Sequence, residues 1–130
     1  MSRYKSYSLK INNRDSLIAA IQLAEIPFEK SDGNDISLHR YSHRDQEQMA
    51  EIVIRKEALD SRYNDLGFVR KTDGSYDALV GDYGKGAATL DTIRQNYAVI
   101  QNTRLLKAKG YTVSQTKLPG GAIELVATLY

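Results

Sequence analysis

Asp73-Gly74 lies between Leu66-Gly67-Phe68-Val69-Arg70-Lys71 and Tyr76-Asp77-Ala78-Leu79-Val80. The flanking runs are rich in β-branched and aromatic residues, and a tight reversal between them requires positive φ, which Gly adopts without steric cost. This segment predicts a β-hairpin at mid-chain, and the other elements must be arranged around it.

Before the hairpin, Tyr7, Leu9 and Ile11 alternate with Ser8 and Lys10, the period of a strand. Asn12 or Asn13 offers an N-cap, and Leu17, Ile18, Ile21 and Ala24 follow at helical spacing, so a short amphipathic helix should stop before Pro27. Residues 29–48 are polar, with a turn at Asp32-Gly33-Asn34, one or two weak strands (Ile36 to Tyr41) and otherwise loop. Glu51 to Arg55 is a short β-branched run and reads as a strand.

Beyond the hairpin, Gly81 to Gly86 reads as a loop. Leu90, Ile93, Tyr97, Ile100 and Leu105 recur near every 3.6 residues, which predicts a long helix over about 90–109. Thr89 is its expected N-cap, Asp91 suits the first turn, Lys107 and Lys109 suit the last, and Gly110 ends it. Two strands should follow, Tyr111–Lys117 and Ala122–Leu129, joined through Leu118-Pro119-Gly120-Gly121. The order is β-α-β(β)-β-β-α-β-β. It implies an α+β class: a mostly antiparallel sheet with two helices packed on one face, in a single domain over residues 1–130.

The 130 residues suffice to bury roughly two-thirds of the unfolded chain's surface. With 18 basic and 16 acidic residues the net charge is +2, too small for a long-range field to demand an anionic partner. No cysteine is present, which excludes disulfides, thiolate catalysis and cysteine-ligated metals. The first residues lack the apolar core of a secretory signal, and no run is long and apolar enough to span a bilayer, so a cytoplasmic location without membrane contact is expected.

Several constellations could carry chemistry, and each has a plainer reading that we favour. His39 and His43 sit four apart, but no helical pattern and no third ligand accompany them, so they read as surface histidines. The Gly81–Gly86 loop leads towards a helix start, where an anion could bind, but it has neither the phosphate-loop nor the dinucleotide spacing. Asp60 with Asp65, and Asp77 with Asp82, are paired acids that nothing in the sequence places in a cleft; the first pair suits turns. No catalytic residue, metal ligand or cofactor site is therefore assigned.

Nine tyrosines and no tryptophan are scattered among basic residues. Tyr76, Tyr83 and Tyr97 with Arg70 and Lys71 form the candidate contact set. Aromatic and cationic side chains could anchor a protein interface, the favoured reading, or stack and track a nucleic acid, the alternative.

The segments AEIVIRK (50–56), DLGFVRKTDGSYDALVGDYG (65–84), LDTIRQNYAVIQ (90–101) and KGYTV with GGAIELVATLY (109–130) occur in an order that resembles one family. It is the hypothetical chloroplast open reading frame thirty-five family, also known as domain of unknown function twelve fifty-seven, found in cyanobacteria, plastids, other bacteria and phages. The resemblance covers most of the chain outside about residues 29–48. It implies no catalytic residues, since the family has none established. Family genes often neighbour those of a MoxR-like AAA+ ATPase, a second small protein and sometimes a ferredoxin. The resemblance thus implies a non-catalytic accessory partner of such an ATPase complex; the expected partner is another protein, that ATPase or a second copy of this chain. The chain would act in the cytoplasm, or in the plastid stroma if plastid-encoded.

Overall fold

A computed structural model describes residues 4–38, 48–61, 64–81 and 84–129. Strand β1 (Tyr4–Ser8) leads into helix α1 (Arg14–Leu23), followed by the short strands β2 (Glu29–Lys30), β3 (Ile36–Ser37), β4 (Met49–Ala50) and β5 (Ile52–Ile54). A 3-10 turn (Lys56–Leu59) precedes β6 (Leu66–Arg70) and β7 (Tyr76–Gly81). Helix α2 (Gly86–Ala108) and strands β8 (Tyr111–Lys117) and β9 (Ile123–Leu129) complete the order.

The expected central hairpin is present. Phe68 pairs with Ala78 and Arg70 with Tyr76, and Gly74 has φ +88° in the turn between them. Around it the main sheet runs β1-β7-β6-β5-β2, every neighbouring pair antiparallel. Alternate residues of this sheet (Ile52, Ile54, Leu66, Phe68, Tyr76, Ala78 and Val80) meet Leu17, Ile21, Leu90 and Ile93 of the two helices in one core. Each fully buried side chain of this size contributes about 1.5–3 kcal/mol of transfer free energy. The class is α+β, with both helices on one face of an antiparallel sheet.

The opposite face is capped over its centre. Strands β3 and β4 pair with each other, and Leu38 and Ala50 pack with Val53 there. Gly67 lies under this cap: a Cβ on it would come within 3.0 Å of Ala50 Cβ and Leu38 Cδ1. Among the described residues, Lys5 to Ser8 of β1 remain exposed beside this cap.

The boundaries of the first strand and of helix α2 differ from expectation, whereas the cap of helix α1 is one of the two asparagines expected. The first strand spans Tyr4–Ser8, so Leu9 and Ile11 lie beyond it, though both are buried. Their backbone groups still bond to Tyr76, Leu9 N–H donating to its carbonyl and Tyr76 N–H donating to that of Ile11. Helix α1 is capped by Asn13, whose side chain accepts from Ser16 N–H at 2.9 Å. Helix α2 starts at Gly86 with Lys85 as an N-cap that makes no side-chain cap bond, and the first turn holds no acid. Thr89, expected as the cap, is already inside and donates its N–H to the Lys85 carbonyl.

The last two strands do not extend the main sheet. They pair with each other from Tyr111–Leu129 to Lys117–Ile123 and lie against α2. Gln115 Nε2 donates to Thr103 Oγ1 at 3.1 Å across that contact. The extended run proposed over Ile36–Tyr41 is a strand at Ile36–Ser37; its end falls outside the described residues.

Candidate functional site

Two polar networks tie the body together, and they take up three of the candidate residues, Asp65, Arg70 and Tyr76. In the first, Asp65 is 1% exposed and accepts from Arg55 Nη1 at 2.9 Å and from Lys56 N–H at 2.8 Å. Its own N–H donates to the Tyr4 hydroxyl at 2.9 Å. Arg55 also donates to Glu29 through Nε and Nη2, so one guanidinium joins edge strand β2 to the start of β6. The hydrogen bond from Arg55 holds the Glu29 carboxyl below its ordinary range, and the Arg55 pKa is raised chiefly by the same bond. Burial pushes the Tyr4 phenol up to about 12.

The second network centres on Glu51. Its Oε2 accepts from the Tyr76 hydroxyl and lies 3.5 Å from Arg70 Nη2 and 3.8 Å from Arg14 Nε. Arg70 Nη2 donates to the Tyr76 hydroxyl at 2.7 Å, and its guanidinium lies 5.3 Å above the Tyr76 ring. Burial, then the bond to Glu51, pushes the Tyr76 phenol up to about 12.

The contact set read from the sequence is thereby divided. Tyr76 is wholly buried and Tyr97 is 8% exposed, its hydroxyl accepting from Asn12 N–H at 3.3 Å. Both rings are core, so neither can anchor a surface contact. Arg70 and Lys71 are at the surface but engaged, Lys71 with Ser8 Oγ at 2.9 Å and with Asp77 at 3.2 Å. Tyr83, His39, His43 and Asp82 lie outside the described residues.

The acids divide in the same way. Asp60 sits at φ +49° in a turn and pairs with Lys85 at 3.0 Å. Asp65 is the buried network residue above. Of the Gly81–Gly86 loop, Gly84 (φ +84°) is held close: a Cβ there would lie 2.9 Å from the Leu59 carbonyl oxygen. Lys85 N–H donates to that same carbonyl at 2.7 Å. Among the described residues no group of three His, Cys, Asp or Glu could hold a metal, and no helix is long and apolar enough to cross a membrane.

Exposed large apolar side chains occur at the C-terminal hairpin and on α2, and also at Tyr7 of β1 and Met49 of β4. Pro119 and Gly120 form the turn of the hairpin, closed by Gly121 N–H donating to the Leu118 carbonyl at 3.1 Å. The register places Tyr111, Val113, Gln115, Ile123 and Leu125 on the side facing α2, where they are at most half-buried. The other side carries Thr112, Ser114, Thr116, Glu124, Val126 and Thr128, all exposed. Val126 is 46% exposed, Leu118 38%, and Leu105 on α2 54%. A cleft of about 320 Å³ opens under the hairpin tip between Leu23, Thr92, Asn96, Lys117 and Ile123. A second, of about 400 Å³, lies at the β2 edge between Phe28, Ala58 and Arg55. The two strands were expected from the sequence; that they stand apart from the main sheet was not.

No curated protein and no solved structure matches this chain. One family profile does, over residues 19–126, from α1 through most of β9. The chain belongs to that family, described as protein of unknown function (DUF1257).

Proposed function

We propose that this chain is a small non-catalytic accessory domain that works through protein–protein contact, with the C-terminal hairpin as its docking surface and an AAA+ ATPase-containing complex as its setting. The observation that carries the reading is the position of the exposed apolar side chains. Val126 and Leu118 lie on the hairpin and Leu105 on the helix it packs against, three of the five large apolar side chains exposed among the described residues (the others are Tyr7 and Met49), whereas Tyr76 and Tyr97 of the candidate aromatics are buried in the body. Exposed apolar groups rimmed by Ser and Thr suit a contact that forms and releases. The ATPase setting is supported by the gene neighbourhood that the resemblance implies.

The test is co-purification of the tagged chain with the MoxR-like ATPase of its own host. Wild-type chain should retain the ATPase, and Leu118→Asp should lose it while keeping the far-UV circular dichroism of the wild type. Failure of wild-type chain to retain the ATPase would contradict the reading. So would a salt-sensitive gel shift with single-stranded nucleic acid that needs no protein partner.

A further inference from the structure

The hairpin's hydrogen bonds determine which backbone groups of β9 are used. Leu118 N–H donates to the Ala122 carbonyl at 2.7 Å, and the register runs on from there through Lys117–Ile123 to Tyr111–Leu129. Bonded and non-bonded pairs alternate along an antiparallel ladder. Glu124, Val126 and Thr128 therefore bond to β8. Ile123, Leu125 and Ala127 turn their N–H and C=O groups outward, and among the described residues no strand pairs along that edge.

Natural proteins guard such edges with lysine, proline, bulges or very short strands. Strand β9 has seven residues, no Pro, no Lys and one charge, Glu124. The open edge of β8, by contrast, ends in Lys117. A hairpin of two strands is also marginal by itself, and this one is at most half-buried against α2.

We infer that β9 pairs with β9 of a second copy of this chain, antiparallel about a two-fold axis through Val126, so that two hairpins form one four-stranded sheet. The inference rests on reading the hairpin as a contact surface and assigns one of its two edges. The parity of the strand fits. Leu125 meets Ala127 of the second copy as a bonded pair through their outward groups, and Val126 meets its own equivalent in a non-bonded pair.

The charge pattern fits as well. The axis at Val126 sets Glu124 opposite Thr128, so the strand's single carboxylate never faces its equivalent, and all seven residues are paired. An axis at Leu125 would shorten the pairing and press Glu124 against Val126. A nearly uncharged strand is best matched by another, and β9 is itself such a strand.

The chain has no cysteine, so Val126→Cys introduces a single thiol. Opposed Cβ atoms in a non-bonded pair lie about 4.5–5.5 Å apart, close to disulfide reach. Under mild oxidation of the full chain, V126C should form a covalent dimer ~10-fold faster than Thr116→Cys, which is exposed on the same side but on β8. Sedimentation should show wild type as a dimer and Val126→Lys and Val126→Glu each as monomers. Mixing the two variants should restore a dimer. Val126 is 46% exposed, so these changes leave the core intact, and circular dichroism checks that.

A wild type that sediments as a monomer, or V126C cross-linking no faster than T116C, overturns the inference. A monomer that still retains the ATPase would overturn the dimer and leave the accessory role standing. A dimer that retains no ATPase would do the reverse.

Discussion

Asp65 is buried and ionically paired, and such a pair is costly to break from one side. With the carboxylate gone, Arg55 loses its inner partner and Lys56 N–H loses an acceptor. Asp65→Ala should cost about 3 kcal/mol, at the low end for a buried pair because Arg55 can still reach water. Its urea midpoint should fall accordingly. Glu29 behaves differently, being exposed and held in its charged form by Arg55. A depressed folded-state pKa gives stability that is full above the ordinary value of 4.5 and is lost as pH falls through the folded value. Glu29→Gln should therefore show a shallower loss of stability than wild type between about pH 5 and pH 3.

Tyr4 and Tyr76 give a spectroscopic signature. Their phenols should ionise near 12, above the ordinary tyrosine range. Tyr76→Phe should remove one late transition from the alkaline absorbance titration. Tyr76 and Tyr97 were misread as surface anchors because tyrosine is amphipathic. Composition shows the ring and the hydroxyl but not whether Glu51 or a backbone amide waits for that hydroxyl.

At the level of elements, periodicity found every long one and misplaced ends where backbone contacts decide. Helix α2 was expected near Leu90 because the apolar stripe begins there. It starts at Gly86 because Lys85 N–H is anchored on the Leu59 carbonyl, which aligns the chain for a helix before any apolar residue is needed. Gly84 makes that approach possible. Gly84→Ala should cost about 2–4 kcal/mol, from strained φ and collision with the Leu59 carbonyl, read as a lowered thermal midpoint. The central hairpin was legible from Asp73-Gly74 because its turn chemistry is local. The cap made by β3 and β4 was not, since it depends on the distant close approach of Leu38 and Ala50 to Gly67.

For the molecule as a whole, sequence order gave the class but not the partition into sheets. Strands β8 and β9 alternate like any half-buried pair, and nothing in their composition says whether they join β1 or β2 at an edge or stand against α2. The separation matters for function, because it leaves a second pair of edges on one molecule. In β9 the outward groups belong to Ile123, Leu125 and Ala127, and their state reports directly on what occupies that edge.

Residue-resolved amide hydrogen exchange across β9, followed from dilute to concentrated protein, is the most direct test. Glu124, Val126 and Thr128 should be protected at every concentration, while Leu125 and Ala127 exchange freely when dilute and become protected as the second copy binds. Protection of Leu125 and Ala127 in the dilute monomer, or no change in them with concentration, would contradict the account.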